Sequence, residues 1–116
     1  MNRNLRLVVN NSNKDESKKL FFERTELKII LNLYAKMVSN GSWKDYSFSA
    51  GSKEISFDIY QRSSDKPVLR ILKNFNPNYV NEKYLLKDRN GNVVKRSENL
   101  SQLIDKTSWN KLKLIK

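Results

Sequence analysis

The segment "FFERTELKIILNLYAKMVSNG" constrains the fold most, because it is the clearest helical pattern in the chain. Its apolar residues recur at intervals of three and four, which is the spacing of one helix face. They are Leu27, Ile30, Leu31, Leu33, Tyr34, Met37 and Val38. Thr25 is the predicted N-cap, and Gly41 is the predicted end, where a left-handed residue closes the last turn.

After this helix, apolar and polar residues alternate in short segments, as they do in half-buried strands. The clearest examples are "EISFDIYQR" and "VLRILK". Because side chains alternate between the two faces of a strand, every second side chain of each segment faces the helix. This inward row is predicted to be Ile55, Phe57, Ile59, Leu69 and Ile71. The opposite face, which carries the arginines, is expected to lie in solvent.

Two signals complete the predicted fold. Asn90-Gly91 lies between two further alternating segments and predicts a hairpin with a type I′ turn. Ser97 or Asn99 is placed to cap a short helix whose apolar stripe follows it. The predicted fold class is α+β, with one long N-terminal helix packed on an antiparallel meander of four to five strands and a short C-terminal helix.

The chain of 116 residues fits one folded unit preceded by an arm. Residues 1–20 are predicted to be a flexible polar and basic arm, and residues 21–116 a single α+β domain. Within the arm, "LRLVV" is a candidate for a short strand at a sheet edge. The terminal "KLKLIK" is a candidate for a last strand.

Missing residue types exclude several kinds of chemistry. The chain has no cysteine and no histidine, so thiol nucleophiles, disulfides and the commonest general base are excluded. We therefore predict that the protein is not an enzyme and has no cofactor. The remaining catalytic alternative is a small carboxylate and magnesium enzyme using Asp45, Asp58 and Asp65. Basic residues lie near all three in sequence, which favours ion pairs instead.

Apolar runs are at most three residues long, too short for a membrane span or a signal-peptide core. We predict a cytoplasmic protein with no membrane association.

The net charge of +11 favours polyanionic partners through counterion release and long-range attraction. An alternative explanation is codon bias in an AT-rich genome. Lysine supplies 16 of the 23 basic residues, and asparagine is abundant while alanine and glycine are scarce. The basic residues are also spread along the chain, and a dispersed excess is weaker evidence for a binding site than a cluster.

Strand alternation does, however, bring one aromatic ring close to several cations. If the apolar row faces the helix, Tyr60 and Arg70 lie on the other side of the sheet, and Arg62 lies at the end of its strand. Bases stack on such a ring and phosphates pair with the cations. The candidate polyanion-binding residues are Tyr60, Arg62, Arg70, Lys95 and Arg96. The alternative is an ordinary sheet face on which aspartates neutralise the arginines.

Trp43 lies in "GSWKDY", between the end of the helix and the first strand. An indole there either stacks on a ligand or folds under the helix end as a plug for the core. The plug is favoured because it buries a large apolar area.

Three segments resemble a family: "FERTELKIILNLYAKMVSNGSWKDY", "YQRSSDKPVLRI" and "VVKRSENLSQLID". They are similar to a group of short alphaproteobacterial proteins classed as a domain of unknown function, over about residues 21–116. Lys44 and Asp65 depart from the family pattern, which has Arg and Glu there. The resemblance implies no activity or cofactor. It implies an intracellular bacterial role.

The family motifs include one aspartate and two arginines that suit a structural ion pair. The matching positions are Trp43, Lys44, Asp45, Tyr46, Arg62, Pro67, Arg70, Lys95 and Arg96. A bridge from Asp45 to Arg62 or to Arg70 would tie the turn to the sheet.

The sequence predicts a small basic binding module that contacts nucleic-acid backbone through a sheet face. The first alternative is a protein-interaction or regulatory adaptor that acts through a sheet edge or as a homodimer. The second alternative is the magnesium enzyme.

Overall fold

The computed structural model describes residues 20–62 and 66–109. In chain order the elements are helix α1 (Arg24–Ser39), strands β1 (Asp45–Ala50), β2 (Glu54–Tyr60) and β3 (Leu69–Asn74), a short 3-10 turn (Val80–Glu82), strands β4 (Tyr84–Asp88) and β5 (Val93–Ser97), and helix α2 (Leu100–Lys106). The five strands form one antiparallel sheet in the order of the chain. The predicted α+β class, the meander and both helices are confirmed.

Helix α1 begins one residue after Glu23, not after the predicted cap Thr25, which lies within the first turn. Glu23 and Glu26 form a capping box, in which each carboxylate accepts the backbone N–H of the other. This arrangement satisfies N–H groups that a helix start leaves without partners. Its carboxylates also suit the positive end of the helix dipole.

Gly41 ends α1, as predicted. Its φ is +84°, and its N–H donates to the Val38 carbonyl at 3.0 Å. The N–H of Ser42 donates to the Met37 carbonyl at 2.9 Å. These two bonds form a Schellman motif, which satisfies the last carbonyls of the helix.

The hairpin between β4 and β5 is present, but its turn differs from the predicted type I′. Gly91 N–H donates to the Asp88 carbonyl at 3.0 Å, so Gly91 is the fourth residue of the turn. Its φ is +87°. The Asp88 carboxylate accepts the N–H groups of Asn90 and Asn92, each at 2.9 Å. These side-chain bonds and the left-handed Gly91 favour a longer loop over the two-residue turn.

The core lies between the helices and one face of the sheet. The predicted inward row is confirmed, since Ile55, Phe57, Ile59, Leu69 and Ile71 each expose 1% or less. α2 covers the same core, because Leu100 and Leu103 belong to the same buried cluster. Each fully buried side chain of this size contributes about 1.5–3 kcal/mol relative to an exposed one.

Trp43 lies in this core and exposes 3% of its surface. Its ring packs edge-on against Trp109, with centroids 5.7 Å apart. The Trp109 Nε1–H donates to the Ile104 carbonyl at 3.0 Å, which closes the end of α2. Trp43 is therefore the plug and is not exposed for stacking on a ligand.

Some predictions fall beyond the described residues. These predictions concern residues 1–19 of the arm and the terminal segment "KLKLIK". Asp65 also lies outside the described residues. Within the described part, neither helix is long and apolar enough to cross a membrane.

Replacing Gly41 with alanine tests the end of α1. A Cβ at Gly41 would meet no atom within 4 Å, so the cost is backbone strain alone. We expect Gly41→Ala to lower the free energy of unfolding by about 1 kcal/mol, measured by urea denaturation. Gly41→Asn is the control and should lose less, because asparagine tolerates the left-handed region. Equal stability of Gly41→Ala and the natural chain would contradict this account.

Candidate functional site

The side of the sheet away from α1, here called the far face, carries a polar network at its centre. Its members are Ser49, Ser56, Asp58 and Arg70. Strand pairing places Ser49 opposite Ser56, and Asp58 opposite Arg70. The network therefore spans β1, β2 and β3.

Asp58 is the acceptor on which this network converges. Arg70 Nε–H donates to Asp58 Oδ1 at 2.9 Å, and Ser56 Oγ–H donates to the same oxygen at 2.7 Å. Ser49 Oγ–H donates to Asp58 Oδ2. Arg70 Nη2–H donates to Ser56 Oγ at 3.0 Å. A buried carboxylate needs such partners, because leaving it without them costs several kcal/mol.

The centre of the far face is buried, contrary to the expectation of a solvated surface. Ser56 and Leu72 expose 1% or less, and Asp58 exposes 2%. Leu72 is paired with Ser56 of β2, so its buried side chain lies on the far face. The Arg70 side chain remains 34% exposed. Arg70 thus has one edge fixed by the sheet and another part in contact with solvent.

Three basic residues lie together on the far face. Arg70 is paired with Lys87, and Arg96 is paired with Leu85, two residues before Lys87. Same-face neighbours on adjacent strands lie about 4.5–8 Å apart at their Cβ atoms. We call Arg70, Lys87 and Arg96 the basic triangle. Sequence reasoning missed Lys87, which only the β3–β4 register identifies.

The predicted polyanion-binding residues are only partly brought together. Tyr60 lies on the far face, and its hydroxyl is 3.0 Å from Ser47 Oγ. Arg62 is exposed just beyond the end of β2. Lys95 is paired with the core residue Leu86, so it lies on the helix side, opposite to Arg96. Lys95 therefore does not lie with the other predicted polyanion-binding residues.

The predicted ion pair involving Asp45 is corrected. The carboxylate partner of Arg70 is Asp58, because the register places these two residues directly opposite each other. Asp45 is paired with Tyr60, and its Oδ1 accepts the Tyr46 N–H at 2.8 Å. A salt bridge between Asp45 and Arg62 is not found, although the structure describes both residues.

The aspartates suggested for magnesium do not form a group in the described part of the chain. Asp58 already accepts three side-chain donors, and Asp65 lies outside the described residues. Among residues 20–62 and 66–109, no three acidic residues lie close enough to hold a metal.

A second polar network lies on the helix side, beneath the start of α1. Glu26 Oε1 accepts the Lys73 ammonium and the Glu23 N–H, each at 2.7 Å. Glu26 Oε2 accepts the Tyr84 hydroxyl. Glu26, Lys73 and Tyr84 expose 8% or less. The alternation of β3, which turns Lys73 inward after Leu69 and Ile71, was the available sequence signal.

The surroundings of Glu26 change its pKa in opposing directions. Burial raises it, but hydrogen bonds from Lys73, Tyr84 and Glu23, with the positive charge of Lys73, outweigh burial. The net effect is a pKa below the ordinary value of 4.5. Burial and the Glu26 carboxylate raise the pKa of Tyr84, which stays protonated as a donor.

These features define a small α+β domain whose sheet has one helix-covered face and one polar, basic face. The family model described as "Protein of unknown function (DUF2794)" matches residues 20–104, which is more than half of the chain. The chain belongs to this family, which confirms the resemblance to a domain of unknown function. No curated protein and no solved structure matches it.

The pH dependence of stability tests the Glu26 network. A lowered folded-state pKa means that the carboxylate stabilises the fold above pH 4.5, and that this contribution is lost as the pH falls through the folded-state value. We expect Glu26→Gln to reduce the free energy of unfolding by about 1–3 kcal/mol near neutral pH. This loss of stability should shrink as the pH falls below 4.5 and through the lowered folded-state pKa.

Denaturant titrations at several pH values measure the difference in free energy of unfolding between Glu26→Gln and the natural chain. Glu98→Gln is the matched control, because Glu98 is exposed. A Glu26→Gln deficit that stays constant from neutral to acid pH would contradict the network.

Proposed function

We propose that the protein is a small basic binding module that contacts nucleic-acid backbone through the far face. The observation that carries the proposal is the basic triangle of Arg70, Lys87 and Arg96 on three neighbouring strands. Neighbouring strands lie about 4.8 Å apart and Arg96 is offset by two residues from Lys87, so the triangle concentrates positive charge within about 12 Å. Clustered charge of this kind attracts a polyanion more strongly than dispersed charge.

The local charges leave the triangle positive. Asp58 offsets the charge of Arg70. Lys87 and Arg96 make no salt bridge with any residue that the structure describes. Like charges opposite each other on neighbouring strands destabilise a sheet, and a bound phosphate group relieves that repulsion. Arg70 and Lys87 form such a pair.

The Asp58 network supports the role of Arg70. Its Nε and Nη2 groups are held by Asp58 and Ser56, so the orientation of the guanidinium is set before any ligand arrives. A fixed side chain loses less conformational entropy on binding than a free one. Arginine is also the residue type best suited to phosphate oxygens.

Two further residues extend the proposed contact surface. Tyr60 lies on β2, diagonally across from Arg70, and offers a ring on which a base can stack. Arg62 is exposed at the end of the same strand and adds a cation. Trp43 has no such role, because it is buried.

Oligonucleotide binding at several salt concentrations tests the proposal. Fluorescence anisotropy with a labelled single-stranded RNA and a labelled single-stranded DNA should show affinity that falls between about 50 and 200 mM salt. Arg96→Gln and Lys87→Gln should each weaken binding and reduce the slope of log K against log salt by about 0.7.

Lys95→Gln is the matched control. It removes the same charge as Arg96→Gln from the preceding residue of β5, whose side chain lies on the other side of the sheet. It should leave affinity and slope nearly unchanged. Equal losses of affinity in Lys95→Gln and Arg96→Gln would mean that binding depends on net charge alone and not on the basic triangle. Absence of binding at about 50 mM salt would overturn the proposal.

A further inference from the structure

The two edges of the sheet differ in how they are protected. β5 is flanked by the 3-10 turn and by α2, and its pairing with β4 contains an irregularity at Leu86 and Lys87. Covers and bulges of this kind prevent an edge strand from pairing with another chain. β1 has a regular register with β2, and no strand that the structure describes pairs with its other side.

The outward backbone groups of β1 belong to Tyr46, Phe48 and Ala50. Gly51 N–H donates to the Glu54 carbonyl at 2.9 Å. Hydrogen-bonded pairs alternate along antiparallel strands, so the residues at odd positions of β1 bond to β2 and those at even positions point outward. The Tyr46 N–H instead bonds to Oδ1 of Asp45 at 2.8 Å. The carboxylate thus takes the position that a carbonyl of an added strand would occupy.

An apolar surface lies beside this edge, on the helix side. Tyr46 and Phe48 are 39% and 37% exposed, although both are aromatic. Tyr34 of α1 packs against Tyr46, with ring centroids 4.9 Å apart. Leu31 and Val38, three residues before and four after Tyr34, are also exposed. Adjoining exposed apolar side chains of this kind mark an interaction site.

We propose that two copies of the chain pair antiparallel through β1, with Ser47 on the twofold axis. In this register Tyr46 lies opposite Phe48 of the second copy. Each such pair exchanges both backbone hydrogen bonds, with the Phe48 carbonyl replacing Asp45 Oδ1 as the acceptor of the Tyr46 N–H. This register agrees with the direction of the backbone groups, because those of Tyr46 and Phe48 point outward from the sheet. Cross-strand aromatic pairs add stability beyond the backbone bonds.

The charge of β1 favours a second copy in this orientation. Asp45 is the one charged residue of the strand "DYSFSA". Antiparallel pairing places the two Asp45 residues at opposite ends of the interface, each opposite Ser49 of the other copy. Parallel pairing would place them side by side, where like charges destabilise a sheet. The antiparallel dimer also aligns both basic triangles on one side of a continuous sheet.

Disulfide cross-linking tests the register, because the chain has no native cysteine. Across the axis, Ser47 and Ser47 of the second copy form a pair with Cα atoms about 4.5 Å apart, within the range that a disulfide spans. We expect Ser47→Cys to form a covalent dimer on mild oxidation, seen by non-reducing electrophoresis and mass spectrometry.

Ser49→Cys is the control on the same strand and face. Its two copies would lie about 14 Å apart along the strands, too far for a disulfide. Equal cross-linking of both variants would overturn the register. Cross-linking that requires a mixture of both variants would also overturn it, by moving the axis to Phe48.

Sedimentation equilibrium over a concentration series tests the dimer itself. Phe48→Lys should raise the dimer dissociation constant by more than about tenfold. Val93→Lys is the control, because Val93 is equally exposed, at 37%, but lies on β5. Circular dichroism establishes that each variant folds. A natural chain that stays monomeric at all concentrations, or equal effects of both variants, would overturn the proposal.

Discussion

The alignment of β2 with β3 is the constraint on which both faces of the sheet depend, because it places Asp58 opposite Arg70. In the same register Phe57 lies opposite Ile71 and Ile59 opposite Leu69, all buried beneath the helices. A slip of one residue would turn the apolar row outward and leave Asp58 without its cation. Apolar burial on one side and the ion pair on the other therefore select the same alignment.

The two faces have different physical roles that follow from this alignment. The helix side provides most of the stability through apolar burial, and it tolerates Glu26 and Lys73 because each is the other's partner. The far face holds a buried carboxylate beneath a partly exposed arginine, with more cations at its rim. A surface that is held rigid at its centre and is charged at its rim suits binding, which is why binding at this face is our proposal.

Local pattern was enough to predict α1, its end at Gly41, the meander and the inward row, because each depends on residues close together in sequence. The pairing of β3 with β4 was not readable, so Lys87 was missed. The Glu26–Lys73 pair was missed because its members are 47 residues apart. Lys95 was misplaced because consecutive strand residues point to opposite faces. Pairings across long loops depend on packing that one sequence does not display.

A double-mutant cycle on Asp58 and Arg70 tests the central alignment most directly. The free energy of unfolding is measured for Asp58→Asn, Arg70→Gln and the double variant. The account predicts a coupling energy of about 1–3 kcal/mol, since the side chains share a hydrogen-bonded ion pair in which the carboxylate is buried and the arginine is partly exposed. The same cycle with Arg62→Gln should give a value near zero. A coupling energy for Asp58 and Arg70 within about 0.3 kcal/mol of zero would contradict the alignment.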